Sequence, residues 1–215
     1  MADAPYLRAD DDDDENGEEP GTDQPDAPAK DAATPFATVS RNLFASRTVL
    51  IFGQITMKLA QDVSAQLLAL SFENDDPIRV IINSPGVHVE AGDTIHDMIR
   101  YIKPVVKVLG TGWVASAGAH IFLGAHRERR FCLPNTRFLI HQPLGGVGGK
   151  ATDIAIEAKE IIKMRQRLNQ IIARETGQPL DKVERDTDRN YWMSAEEARD
   201  YGLVTHIIEN YQQFA

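Results

Sequence analysis

Two rhythms of apolar and polar positions alternate along this chain from about residue 36 onward. Short, mostly apolar runs at residues 48–52 (TVLIF), 78–82 (IRVII), 105–109 (VVKVL), 137–140 (RFLI) and 204–208 (VTHII) predict strands. Gly53 closes the first run, and Asn83-Ser84-Pro85-Gly86 closes the second. Between the runs, apolar residues recur every three or four positions. Residues 58–70 place Leu59, Val63, Leu67 and Leu70 on one face, and residues 92–102 do the same with Ile95, Met98, Ile99 and Ile102. A helix of small residues is expected over 115–124. The longest periodic segment, 151–176, carries Ile154, Ile161, Ile162, Leu168, Ile171 and Ile172 and stops at Gly177. A last helix is expected over 195–201. Strands alternating with helices imply an α/β fold of parallel β-α-β units with right-handed crossovers. No internal repeat is visible.

Charge divides the chain where the rhythm begins. The net charge of -9 is that of 215 residues, a length suited to one domain. Residues 1–35 hold 12 of the 32 acidic residues, with Arg8 and Lys30 as their only bases, a local net of -10. The remainder is close to neutral, at +1. Self-repelling charge with few large apolar groups cannot offset ordering entropy, so residues 1–35 are expected to form a disordered acidic tail on a folded domain over 36–215. A body at +1 is a poor nucleic-acid binder by electrostatics alone. The single cysteine, Cys132, excludes an intrachain disulfide framework and any cysteine-built zinc cage. No apolar stretch is long enough for a membrane span, and the N-terminus lacks the basic and apolar regions of a secretory signal. A cytoplasmic protein is expected.

Gly110-Thr111-Gly112-Trp113-Val114-Ala115-Ser116-Ala117-Gly118-Ala119 follows a buried strand and opens a helix. Ser116 thus sits at a strand-to-helix turn among residues too small to shield it. The free N–H groups of the first helical turn point toward charge developing beside it. An acyl-transfer nucleophile with an oxyanion hole has those needs, although the segment is not the GxSxG elbow. A base is also required. His120 shares a helix face with Ser116 at i+4, whereas His141 ends a strand and enters a Pro-Leu-Gly-Gly loop. Sequence mechanics alone leaves both open. No metal-ligand spacing is present, and no cofactor is expected.

Four ordered segments resemble one family. Leu139-Ile140-His141-Gln142-Pro143-Leu144-Gly145-Gly146, preceded by Arg130-Phe131-Cys132-Leu133-Pro134-Asn135, is similar to the histidine motif of the Clp protease proteolytic subunits (ClpP). Ile82-Asn83-Ser84-Pro85-Gly86 resembles that family's NSPGG loop, Ala115-Ser116-Ala117-Gly118 its nucleophile segment, and residues 186–195 (DTDRNYWMSA) its third catalytic segment. The resemblance implies a ClpP/crotonase-type fold with a protruding handle over about 146–176. It implies Ser116 as nucleophile, His141 as base and Asn190 as the third member, with oxyanion donors at the Val87 and Ala117 backbone. Val87, His88, Val89 and Glu90 on one side, and Gln142, Pro143, Leu144 and Gly145 on the other, would pair with an extended substrate. Asp188 and Arg189 would form an ion pair between rings. Homo-heptameric rings stacked as a tetradecamer, fed with unfolded polypeptide by an AAA+ unfoldase, complete the implied assembly.

The chain departs from that family at four points. Asn190 replaces the expected Asp, so His141 loses a negative partner. Val87 replaces the second Gly of NSPGG, which strains the backbone if φ is positive there. Arg79 stands where an aromatic residue usually faces the unfoldase. The acidic tail stands where a basic-aromatic axial loop is usual, and seven tails would place roughly -70 charges at one entrance. Two readings follow: a self-compartmentalised serine endopeptidase of weakened or conditional activity, alone or with a second ClpP-type paralogue, or a largely structural subunit of a mixed barrel. A CoA-binding crotonase shares the fold but has no use for Ser116 with His141.

Overall fold

A computed structural model describes residues 35–143 and 148–214 of the chain. Residues 1–34 of the expected tail and the first residues of the expected handle, with Leu144, Gly145 and Gly146, lie outside the described residues. The elements in order are α1 (Pro35–Ala45), β1 (Thr48–Ile55), α2 (Met57–Glu73), β2 (Ile78–Val87), α3 (Val89–Tyr101), β3 (Val106–Ala115) and α4 (Ala117–Phe122). They continue with β4 (Arg130–Cys132), β5 (Arg137–Ile140), α5 (Ala151–Thr176), α6 (Leu180–Asp186), β6 (Tyr191–Met193), α7 (Ala195–Tyr201) and β7 (His206–Ile207). The sheet runs β1-β2-β3-β4-β7, all parallel. β5 leaves that path, pairing parallel with the far end of β3, and β6 then pairs antiparallel with β5. The fold is therefore α/β with a parallel sheet, and β6 is its one reversal among the described residues.

Apolar periodicity explains why these segments hold. Ala60, Val63, Leu67 and Leu70 are the buried face of α2, and Ile95 and Ile99 that of α3. Helix ends are satisfied locally. Thr56 Oγ1 accepts from Leu59 N at 3.2 Å, and Ser194 with Glu197 closes a capping box at the start of α7. α5 stops at Gly177, in a left-handed conformation that removes the β-carbon penalty.

Three predicted strand ends are corrected, the first being that of β3, which runs past Leu109 to Ala115. Gly53 does not end β1: with φ at 76° it forms a bulge, and pairing with β2 resumes at Gln54. Asn83-Ser84-Pro85-Gly86 does not end β2 either. Pro85 is tolerated because the β2–β3 register already shifts between Ile82 and Ser84. The side chain of Ser84 takes over there, donating to Gly53 O at 2.6 Å and accepting from Gly86 N at 3.0 Å. No helix among the described residues is long and apolar enough to cross a membrane.

One buried charge anchors the far side of the domain. Arg130 is fully buried, and its guanidinium donates to Ala125 O, Leu123 O and Glu175 O, and to the Glu175 carboxylate. Burial alone would raise the Glu175 carboxyl. The bonds from Arg174 and Arg130 outweigh it and hold that group below the usual range.

Candidate active site

Ser116 is the residue between β3 and α4, with φ 56° and ψ -121°, a conformation that L-residues rarely adopt. Its side chain makes no cap bond to α4, which leaves Oγ free for another partner. Three close approaches hold this turn. Ser116 N donates to Leu139 O at 2.9 Å. A β-carbon at Gly86 would stand 2.7 Å from Ser116 Cβ and 2.8 Å from Ala117 N, so only glycine lets β2 pass. A β-carbon at Gly118 would meet Ser84 O at 3.2 Å.

Two strand registers bring the remaining groups in. Ala115 pairs with Leu139 in the parallel β3–β5 ladder, which sets His141 one step beyond Ile140 and beside Ser116. Ile140 pairs with Tyr191 in the antiparallel β5–β6 ladder, so the flanking His141 and Asn190 face each other. His141 Nε2 lies 2.8 Å from Ser116 Oγ, and His141 Nδ1 lies 2.9 Å from Asn190 Oδ1. With the Asn190 carbonyl turned this way, Nδ1 donates and Nε2 is left to accept the Ser116 hydroxyl proton. Of the two histidines that spacing left open, His141 lies against Ser116 Oγ, whereas the His120 ring turns to His96 and Asp93.

His120 faces elsewhere. Its ring stacks on that of His96 with centroids 4.5 Å apart and planes 10° apart. Nε2 stands 2.8 Å from Asp93 Oδ1, close enough for charge attraction. It is out of line for a ring N–H bond, and both His120 nitrogens are buried without an aligned partner. Asp93 in turn receives both Nη atoms of Arg167 from α5, at 2.9 and 2.6 Å. Burial would raise the Asp93 carboxyl, but the contacts from His120 and Arg167 hold it well below the usual carboxylate range. The spacing of Asp93 and His96, three apart on α3, was the available signal for this cluster.

The other expected positions fall as follows. Val87 has φ 127° and is exposed at the end of β2, so the strain foreseen for a β-branched residue is present. The expected extended stretch over 87–90 is corrected: Val89 and Glu90 lie in the first turn of α3, and His88 caps that helix with Nδ1 accepting from Ala91 N at 3.4 Å. Helical residues offer no strand edge. Gln142 and Pro143 are non-helical, with Gln142 N donating to Thr187 O at 2.6 Å and its amide to Asp188 O at 2.7 Å. Asp188 pairs with Arg165 of its own chain at 3.1 Å, and Arg189 is exposed beside Asn190. Ala117 opens α4, where backbone N–H groups lack intrahelical acceptors. Among the described residues no cluster of three or more His, Cys, Asp or Glu side chains could hold a metal ion.

Known proteins resemble this chain in sequence and in fold. The family described as Clp protease matches residues 31–211. The ATP-dependent Clp protease proteolytic subunit 3 of Rhizobium johnstonii is 62% identical over 167 residues, 78% of this chain and 86% of its own length. The proteolytic subunit 2 of Gluconobacter oxydans is 58% identical over 198 residues, 87% of this chain and 89% of its own. Among solved structures, ClpP1 of Listeria monocytogenes aligns with a TM-score of 0.75 at 56% identity, covering 82% of this chain and 99% of that one. An Asn-to-Asp variant of the same Listeria protein aligns with a TM-score of 0.77. With a family match that spans nearly the whole folded body, and relatives this similar over most of their length, the chain belongs to the Clp protease family.

Proposed function

We propose that the chain is the proteolytic subunit of a self-compartmentalised Clp protease and hydrolyses peptide bonds with Ser116 as nucleophile and His141 as general base. The observation that carries this reading is the unbroken line from Ser116 Oγ through His141 to Asn190 Oδ1, at 2.8 and 2.9 Å. In the proposed reaction, Ser116 Oγ attacks the scissile carbonyl while its proton passes to His141 Nε2. The developing oxyanion takes bonds from the backbone N–H of Val87 and Ala117. His141 then returns the proton to the leaving amine, and water releases the acyl group by the reverse sequence.

Asn190 orients His141 but brings no charge to stabilise the imidazolium. In a serine protease of another fold the equivalent replacement costs about 10⁴-fold. The activity is therefore weakened, or conditional on assembly. Homo-heptameric rings stacked as a tetradecamer, with or without a second ClpP-type paralogue, and an AAA+ unfoldase that feeds unfolded polypeptide, belong to the same proposal. So do the pairing of Asp188 and Arg189 between rings and a charge filter made by residues 1–35. The relatives' names, which speak of an ATP-dependent Clp protease, support the unfoldase.

A second reading, a largely structural subunit, is favoured by the neutral Asn190 together with the strained backbone at Val87. Labelling by a fluorophosphonate probe and peptide hydrolysis, each compared between the wild type and Ser116→Ala, separate the two. Labelling and turnover lost on substitution support the peptidase. Identical background in both proteins, with a ClpP-type paralogue also supplied, supports the structural subunit.

A further inference from the structure

The inference here rests on the peptidase reading, under which the narrow pocket beside Ser116 and His141 receives a substrate side chain. Its walls are Val89, Ala117, Ala119, Leu123, Leu168 and Ile172, all apolar, with His120 set among them. We propose that His120 decides which side chains this pocket accepts: a neutral ring admits an apolar side chain, and an imidazolium favours a carboxylate.

Position and surroundings both support that role. His120 is 7% exposed, and its backbone N–H donates to Ser116 O at 3.1 Å, so the ring is fixed relative to the nucleophile. The charged and titratable groups around it come from three elements. α3 contributes Asp93, His96, Asp97 and Arg100, α5 contributes Arg167, and His141 stands across the pocket at the end of β5. Arg167 already engages both oxygens of Asp93, so Asp93 attracts a charged His120 without neutralising it alone.

His96 is held toward its neutral form by burial and by the charge of His120. Two imidazolium rings 4.5 Å apart repel, so the stack accommodates one proton rather than two. A buried apolar side chain against an imidazolium leaves that charge balanced only by the Asp93 carboxylate that Arg167 already shares, whereas a substrate carboxylate adds a second partner. Both nitrogens of His120 lack an aligned protein partner, which leaves the ring open to this exchange.

The test uses the full chain and two peptides that differ only in Leu or Glu before the scissile bond. The ratio of their kcat/KM values is followed between about pH 8 and about pH 5.5. Any slowing common to both peptides cancels in the ratio. The Leu-to-Glu ratio should fall by about three- to tenfold toward acid in the wild type. It should stay flat in His120→Phe, which keeps an aromatic ring against His96, and in His120→Gln, measured alongside against misfolding of either variant. A ratio independent of pH in the wild type, or a slope that survives both substitutions, overturns the proposal. If neither peptide is cleaved, the same ratio is read as affinity for Ser116→Ala by fluorescence anisotropy. A pH-dependent affinity ratio there upholds the role of His120 while removing the peptidase reading, and a flat one overturns the role of His120 as well.

Discussion

Two histidines in this molecule each stand close to a side-chain oxygen, and their partners differ by one charge. His141 lies 2.9 Å from the neutral Oδ1 of Asn190. His120 lies 2.8 Å from the carboxylate of Asp93, which Arg167 also holds. The first pair is aligned and partly open to solvent, at the rim where strands β5 and β6 meet. The second is buried, misaligned and stacked on another histidine. Orientation has thus been kept where a proton must move, and charge has been kept where helices α3, α4 and α5 pack. An aligned neutral acceptor fixes a tautomer but lends little electrostatic help. A misaligned carboxylate lends attraction without fixing a tautomer. Under the proposed function, that division weakens the base and leaves the neighbouring pocket responsive to protons.

The comparison breaks most sharply at the nucleophile. Ser116→Ala should remove labelling and lower turnover by about 10⁴-fold or more, down to background, as measured by release of a fluorogenic group. Moving the charge to the other histidine comes next. Asn190→Asp should raise kcat by about 10²- to 10³-fold with little change in KM, because the added carboxylate stabilises an imidazolium that forms only in the reaction. An unchanged kcat would mean that Asn190 does not limit the chemistry.

The mirror substitution, Asp93→Asn, should leave that kcat nearly unaltered. It should instead cost about 1–3 kcal/mol of stability in urea unfolding, since Arg167 and His120 lose their shared counter-charge. Val87→Gly relieves the strained φ at the end of β2 but adds freedom to the unfolded chain. The balance is a gain of about 1 kcal/mol or less, read from the same unfolding curves.

The smallest effect is that of pH on folding. His96 is depressed in the folded state, so its contribution is complete above the ordinary histidine range and is lost as pH falls through that range. Asp93 is depressed too, and its contribution is complete above the ordinary carboxylate range and lost only in stronger acid. Both make acid destabilising, in two separate windows. Tm should drop by about 2–4 °C between about pH 7 and about pH 5 in the wild type and less in His96→Phe.

Much of the fold was legible because its signals are local. Periodicity placed α5 to the residue, from Ala151 to Thr176, since a capping glycine follows a long amphipathic run. α7 was placed as closely, from Ala195 to Tyr201. Apart from α1, a helix of 11 residues, the missed elements were short. α6, β4 and β6 have seven, three and three residues, too few to express a period. β1, β2 and β3 were cut short for another reason. Gly53 and Pro85 are turn residues in isolation, and only the neighbouring strands turn them into a bulge and a shifted register.

The amino-acid sequence by itself determined the alternation of strands and helices, the near-neutral body behind an acidic segment, and the four motifs that point to Ser116, His141 and Asn190. It could do so because period, charge and short-range spacing are written in neighbouring residues. Only the tertiary structure decided which histidine stands against Ser116. His120 is nearer along the chain, yet its ring is drawn to Asp93 and His96. His141, 25 residues away, is delivered by the pairing of β3 with β5, and Asn190 by the pairing of β5 with β6. Those ladders join segments remote in sequence, and the backbone register that aligns them leaves no mark on the side chains it brings together.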